Sequence, residues 1–159
     1  MKDYEELLIA LRRTTRAIDL HSKKLQRETG LTTSQLLVLE AAAKLAKASP
    51  SNIAKEVQLS QATVTSLIDR MERNQLVLRQ KSVEDKRVVE VILTDKGRKM
   101  IELAPEPLQA GFLNEFRKLE RWEQHQLIGS MQRIAVMMDA EDIDASPILI
   151  TGELSLSDA

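Results

Sequence analysis

Cysteine is absent from the 159-residue chain. Disulfides, thiolate metal sites and thiol-oxidation switches are excluded with it. Glycine (5) and proline (4) are scarce, which favours helix over sheet. No apolar run approaches the ~18 residues that would span a bilayer. The opening MKDYEELL lacks the pattern of a signal peptide, so the expected location is the cytoplasm. The two histidines, His21 and His125, lie far apart. There is no Gly-rich phosphate loop, no H-E-x-x-H and no nucleophile elbow. The expectation is therefore a protein that is no enzyme and holds no metal and no cofactor.

What is present is a globular composition, 43% hydrophobic and 30% charged, long enough for a real core. The net charge of −1 hides an asymmetry. Residues 1–138 hold all 23 bases against 18 acids, a net +5, whereas 139–159 hold six acids and no base. A basic body with an acidic tail is compatible with a polyanionic partner for the body.

The chain is organised around Ser60–Arg73, SQATVTSLIDRMER. Val64, Leu67, Ile68 and Met71 recur at helical spacing and make a core-facing stripe. Ala62, Ser66, Asp69 and Arg73 point the other way, flanked by Thr63, Thr65 and Arg70. Ser60 is a good N-cap, which puts free N–H groups and the positive dipole end at one tip. Such a thin, hydroxylated, basic face suits a DNA major groove. It also suits an ordinary solvated surface helix.

The residues before it favour the first reading. SNIAKEVQ, residues 51–58, forms a short helix after Pro50, with Ile53, Ala54 and Val57 inward. Two short helices across a tight turn, sharing a core of Ile53, Val57, Leu59, Val64 and Leu67, describe a helix-turn-helix. Where such turns often hold glycine, Gln58 stands, at about 1 kcal/mol if its φ is positive.

Residues 4–28 read as one helix of roughly 25 residues, ~37 Å long, stopped by Gly30. That exceeds what one small core covers, so part of it is expected to pack on a second subunit. Thr32 and Gln35 form a capping box for the next helix. The hydroxyl cluster there, Ser34 included, either caps the helix or touches a phosphate. Leu76–Lys81 and Arg87–Leu93 are strand-like and Ser82–Lys86 is a polar turn, which makes a β-hairpin. Arg79, Lys81, Lys86 and Arg87 make its loop and edges basic. Directly after a helix-turn-helix this is a wing, able to lie along a minor groove or a phosphate strand. Elsewhere it would be an edge hairpin protected by charge. Thr94 caps a further helix with Met100, Ile101 and Leu103 inward, and Pro105 and Pro107 interrupt it. Phe112, Phe116 and a last helix from Trp122 to Met138 follow. Residues 140–159 read as a loosely held tail whose sticky stretch is Pro147–Ile150.

The order of these elements resembles the MarR family of bacterial transcription regulators. The marks are SPSNIAKEVQLSQATVTSLIDRMERNQLVLR, the Asp85-Lys86-Arg87 segment and LTDKGR at 93–98, within a match over about residues 5–138. The resemblance implies a mainly α fold with a small β-hairpin wing and a homodimer on double-stranded DNA. It implies an N-terminal dimerisation helix (1–30), a winged helix-turn-helix lobe (31–94), C-terminal dimerisation helices (95–138) and an acidic tail (139–159). Recognition helices would enter successive major grooves of a pseudo-palindrome. Arg87 would be the wing-tip residue in a minor groove, and Asp85 would hold the wing in shape. Gln61, Ala62, Thr63, Thr65 and Ser66 would sit at base edges and Arg70, Arg73, Lys81 and Ser82 would mainly contact phosphate, with Ser60 and Lys86 also in the DNA-binding set. Many members are released by an anionic or phenolic small-molecule effector. Here Arg12, Arg13 and Arg16 either serve such a pocket or make salt bridges on a solvated face. The segment EELLIALRRTTRAIDLHSKKLQRETGLT also looks like regulators of compatible-solute (ectoine-type) genes. A winged-helix module that binds protein instead of DNA is the competing function, supported by the acidic tail and the apolar 147–150.

Overall fold

The computed structural model describes residues 2–143, 145 and 147–150. Its elements are helices α1 (Asp3–Thr29), α2 (Thr33–Lys44), α3 (Pro50–Val57) and α4 (Gln61–Arg73), strands β1 (Val77–Lys81) and β2 (Val89–Leu93), then helices α5 (Asp95–Leu103), α6 (Leu108–Lys118) and α7 (Arg121–Met137). The fold is thus mainly helical with one two-stranded antiparallel hairpin. Two compact units divide it, one running to Pro105 and one from Glu106 to Leu149.

Local signals set the helix ends of the first unit. Acidic Asp3, Glu5 and Glu6 occupy the first turn of α1, where the helix dipole favours them. Gly30 closes it at φ 73°, its N–H donating to the Gln26 carbonyl at 2.7 Å. The Thr32–Gln35 capping box forms, with Thr32 Oγ1 accepting from the Gln35 N–H and Gln35 Oε1 accepting from the Thr32 N–H. Ser49 caps α3 and Pro50 occupies its first turn. Gln58 ends α3 in the left-handed region at φ 56°, the strained turn position expected for it.

The core lies where α2 packs against α3, α4, α5 and β2. Leu25, Leu36, Val38, Leu39, Ile53, Val64, Ile68, Met71, Val77 and Val91 are fully buried there. Each such side chain stabilises the fold by about 1.5–3 kcal/mol relative to exposure. The hairpin register pairs Val77 with Leu93, Arg79 with Val91 and Lys81 with Val89. On the far edge of β2 the Val91 N–H donates to the Ala48 carbonyl at 2.8 Å, which anchors the hairpin to the chain just before α3.

Thr94 joins the hairpin to α5. Its hydroxyl accepts from the Gly97 N–H at 3.0 Å and donates to the Gln75 carbonyl at 2.6 Å. One expectation fails here: Leu103 is 51% exposed instead of inward. It stands in the last turn of α5, immediately before Ala104 leaves the helix for extended backbone.

Within the second unit, Gln124 donates to the Phe116 and Leu119 carbonyls, both at 3.1 Å, and so closes the α6–α7 corner. The Phe112 and Phe116 rings stack with centroids 5.7 Å apart. The Gln109 amide grips the apolar stretch beyond α7, donating to the Pro147 carbonyl at 3.0 Å and accepting from the Leu149 N–H at 3.1 Å. Asp144, Glu153 and Asp158 of the acidic tail lie outside the described residues.

Candidate nucleic-acid interface

Four buried residues, Val64, Leu67, Ile68 and Met71, fix the rotation of α4. Gln61, Ala62, Thr65, Asp69 and Arg73 are thereby exposed, with Thr63, Ser66 and Arg70 half-buried beside them. Ser60 caps the helix: its Oγ accepts from the Thr63 N–H at 3.1 Å and lies 2.7 Å from Thr63 Oγ1. These two hydroxyls are therefore prepositioned at the tip where the free N–H groups emerge.

The hairpin loop is built by short-range hydrogen bonds. Asp85 Oδ1 accepts from the Arg87 N–H at 2.9 Å, and the Asp85 carbonyl accepts from the Val88 N–H at 2.9 Å. The Ser82 N–H donates to the Val88 carbonyl at 2.9 Å and closes the ladder below the loop. Lys81, Lys86 and Arg87 are exposed, and Val83 at the tip is 92% exposed. Glu84 pairs with Lys47 from the α2–α3 connection. The hydrogen bond and charge of Lys47 hold the Glu84 carboxyl below its usual range, and Glu84 in turn raises Lys47.

Two expected contact residues are placed differently. Ser34 and Ser82 are both buried. Ser82 turns its Oγ toward the Glu84 N–H at 3.3 Å, an internal brace for the loop instead of a phosphate contact. Ser34 lies on the inner side of the first turn of α2, between Thr33 and buried Gln35.

Arg79, counted from sequence as one more wing cation, is engaged with α4. One guanidinium nitrogen donates to Glu72 and another to Asp69, while the Arg79 backbone N–H donates to Glu72 Oε1 at 3.2 Å. Partial burial pulls its pKa down, but the hydrogen bonds it donates to Asp69 and Glu72, with their charges, outweigh this and raise it. These pairings reach across 7 and 10 residues between a helix and a strand, so no periodicity announces them.

Arg12, Arg13 and Arg16 are exposed along a shallow open groove on α1 with Ile9, Thr15 and Leu20. Arg16 pairs with Asp19 at 2.8 Å, and Lys23 reaches the same carboxylate at 3.0 Å. The Lys23 hydrogen bond is the main cause of the lowered Asp19 pKa. Among the described residues no group of three or more His, Asp or Glu is placed to hold a metal. None of their helices is long and apolar enough to cross a membrane.

The sequence profile of the MarR family matches residues 31–89. Over 68 residues the chain is 35% identical to the HTH-type transcriptional repressor MdtR of Bacillus subtilis, covering 43% of this chain and 44% of that one. The alignment thus spans less than half of that relative. An uncharacterised HTH-type regulator of the same bacterium, YkoM, is 27% identical over 124 residues, 78% of this chain and 80% of its own. Among solved structures, Streptococcus pneumoniae FabT in complex with DNA superposes with a TM-score of 0.56 at 21% identity, over 86% of this chain and 98% of that one, which shows a shared fold. These comparisons reach the family and not the ectoine-type branch. The matched residues hold the helix-turn-helix, β1 and the wing loop, so over 31–89 the chain is similar to the MarR family of winged helix-turn-helix regulators.

Proposed function

We propose that this chain is a homodimeric, sequence-specific DNA-binding transcription regulator that represses by occupying a pseudo-palindromic promoter site. The observation that carries the reading is the joint exposure of two features on one lobe. Gln61, Ala62, Thr65 and Arg73 stand outward on α4, and Lys86 and Arg87 stand outward on a wing bonded to that helix. Gln61, Thr63, Thr65 and Ser66 meet base edges, Ala62 leaves room for the helix to approach, and a Thr methyl can read a thymine methyl. Arg70, Arg73 and Lys81 meet phosphates, and Arg87 enters the flanking minor groove.

Dimerisation draws its support from apolar side chains left uncovered in each unit. Tyr4, Leu7 and Leu8 are exposed on α1, and Ile128, Met131 and Val136 on α7. A second copy is the economical partner for both, since most soluble oligomers are symmetric homo-oligomers. An anionic effector on Arg12 and Arg13 is the accompanying proposal for release, with Arg16 already held by Asp19.

The test is fluorescence anisotropy with duplexes from the DNA upstream of the gene, over a salt series and against random competitor. Nanomolar binding that survives the competitor and weakens steeply with salt is the expected result. Equal, weak binding to specific and random duplex, with a protein captured independently of DNA, would replace this reading with the protein-binding one.

A further inference from the structure

We propose that Arg79 is a positioning residue: it locks the wing to the recognition helix and masks the two carboxylates that α4 would otherwise turn toward phosphate. The inference rests on the DNA-binding reading above for its consequence, and on geometry alone for its mechanical part.

Asp69 shares the outward face of α4 with Ala62, Thr65 and Arg73, and its side chain is 53% exposed. Glu72 follows one turn on, 37% exposed. A bare acid on the groove-facing side of a recognition helix opposes binding, because phosphate charge dominates the affinity. Here both acids face the same cation. The Arg79 side chain is only 26% exposed and forks between them, one guanidinium nitrogen to each. Glu72 also accepts the backbone N–H on the outer edge of β1 with its other oxygen. Two side-chain pairs and one main-chain bond therefore tie the middle of β1 to the last two turns of α4.

An ordinary surface ion pair contributes little to stability. A partly buried, forked arginine gives something else, a fixed angle, because its planar donors match two acceptors at once and a lysine cannot reproduce that. The turn from α4 into β1 fixes only the base of the hairpin, through the Leu76 N–H to Met71 carbonyl bond at 2.8 Å. The opposite strand is tied to the α2–α3 connection through Val91 and Ala48, and the loop through Glu84 and Lys47. The Arg79 fork is the tie that sets the distance between the wing and the helix it must work beside.

Two measurements on the full chain test this. The first needs no DNA: amide hydrogen exchange of wild type, Arg79→Met and Arg79→Lys. In Arg79→Met, exchange across residues 78–92 is expected to rise by about tenfold or more, with α2 unchanged, because local opening becomes easier. Arg79→Lys should fall between. Unchanged wing exchange overturns the positioning role whether or not DNA is the ligand. The second is a double-mutant cycle with Arg87→Ala on a duplex selected from random sequence. Arg79→Met alone should weaken binding by about 10–100-fold, and by less than about threefold in the Arg87→Ala background, because Arg79 acts through the wing. Adding D69N/E72Q to Arg79→Met should restore only the part, up to about threefold, that persists without Arg87, by removing the unmasked charge. Additive losses at 79 and 87, or no rescue, overturn it. If wild type prefers no duplex at all, the DNA-binding reading falls and the masking role falls with it, while hydrogen exchange still decides the mechanical role.

Discussion

Gly97 packs against the main-chain carbonyl of Leu76 so closely that a β-carbon at position 97 would overlap the oxygen. That carbonyl is also where the Thr94 N–H donates, at 3.0 Å, and where the Thr94 hydroxyl lies within 3.1 Å. The first turn of α5 is thus pressed onto the start of β1, at the base of the hairpin. Gly97→Ala should destabilise the fold by about 2–3 kcal/mol, since the obstacle is backbone and cannot rotate away. Thermal or urea unfolding measures this, and a loss below about 0.5 kcal/mol would show the contact to be slack.

Gln58 stands at φ 56° with an ordinary side chain. A left-handed L-residue costs about 1–2 kcal/mol, and glycine gives part of that back through its freer unfolded state. Gln58→Gly should therefore raise stability by roughly 0.5 kcal/mol. Gln58→Val should lower it, because β-branched side chains tolerate this region worst. A stabilising valine would mean the turn changes conformation on substitution.

Glu40 on α2 is half-buried, and burial raises its pKa. The folded state then holds its proton more tightly than the unfolded state does. The stability this group contributes is present below the unfolded carboxylate pKa and is lost as pH rises through the folded one. Glu40→Gln should consequently be more stable than the parent at pH 7. The advantage should vanish as pH is lowered through the ordinary glutamate range. Unfolding curves at several pH values decide it, and an advantage that grows toward low pH has the wrong sign.

Arg87→Ala should weaken binding to a selected duplex by about 1–3 kcal/mol. Thr65→Ala and Ser66→Ala should change base preference while leaving the salt dependence nearly untouched, because neither carries charge. Competition binding over a salt series separates the two classes. A changed salt slope for Thr65→Ala would move that residue from base to backbone.

What was legible in the sequence was whatever depends on neighbours within about one helical turn. The Thr32–Gln35 box, the Gly30 stop, the Ser60 cap and the awkward turn at Gln58 are all of this kind, and all are found in the structure. Periodicity predicted which residues share a face, and it is silent on whether that face is covered. Leu103 follows the pattern of Met100 and Ile101 and yet is exposed. In the candidate site, composition could count Arg79 among the basic residues but could not pair it. Its partners lie on another element, and the crossing of helix and strand decides which charges meet. Ser82 illustrates the same limit: its hydroxyl turns inward because the ladder closes at Ser82 and Val88, a matter of register and not of residue type.

The hydrogen bonds that Asp85 accepts from the main-chain N–H groups of Arg87 and Val88 carry one more consequence. The loop is closed before any partner arrives, so the conformational entropy of its backbone is surrendered during folding. Whatever takes the tip immobilises little more than the Arg87 side chain, at about 0.5–1.5 kcal/mol for a rotamer-rich group. Asp85→Ala would move the cost of ordering from folding to association. It would leave the side chains at the tip unchanged and make their capture slower and weaker.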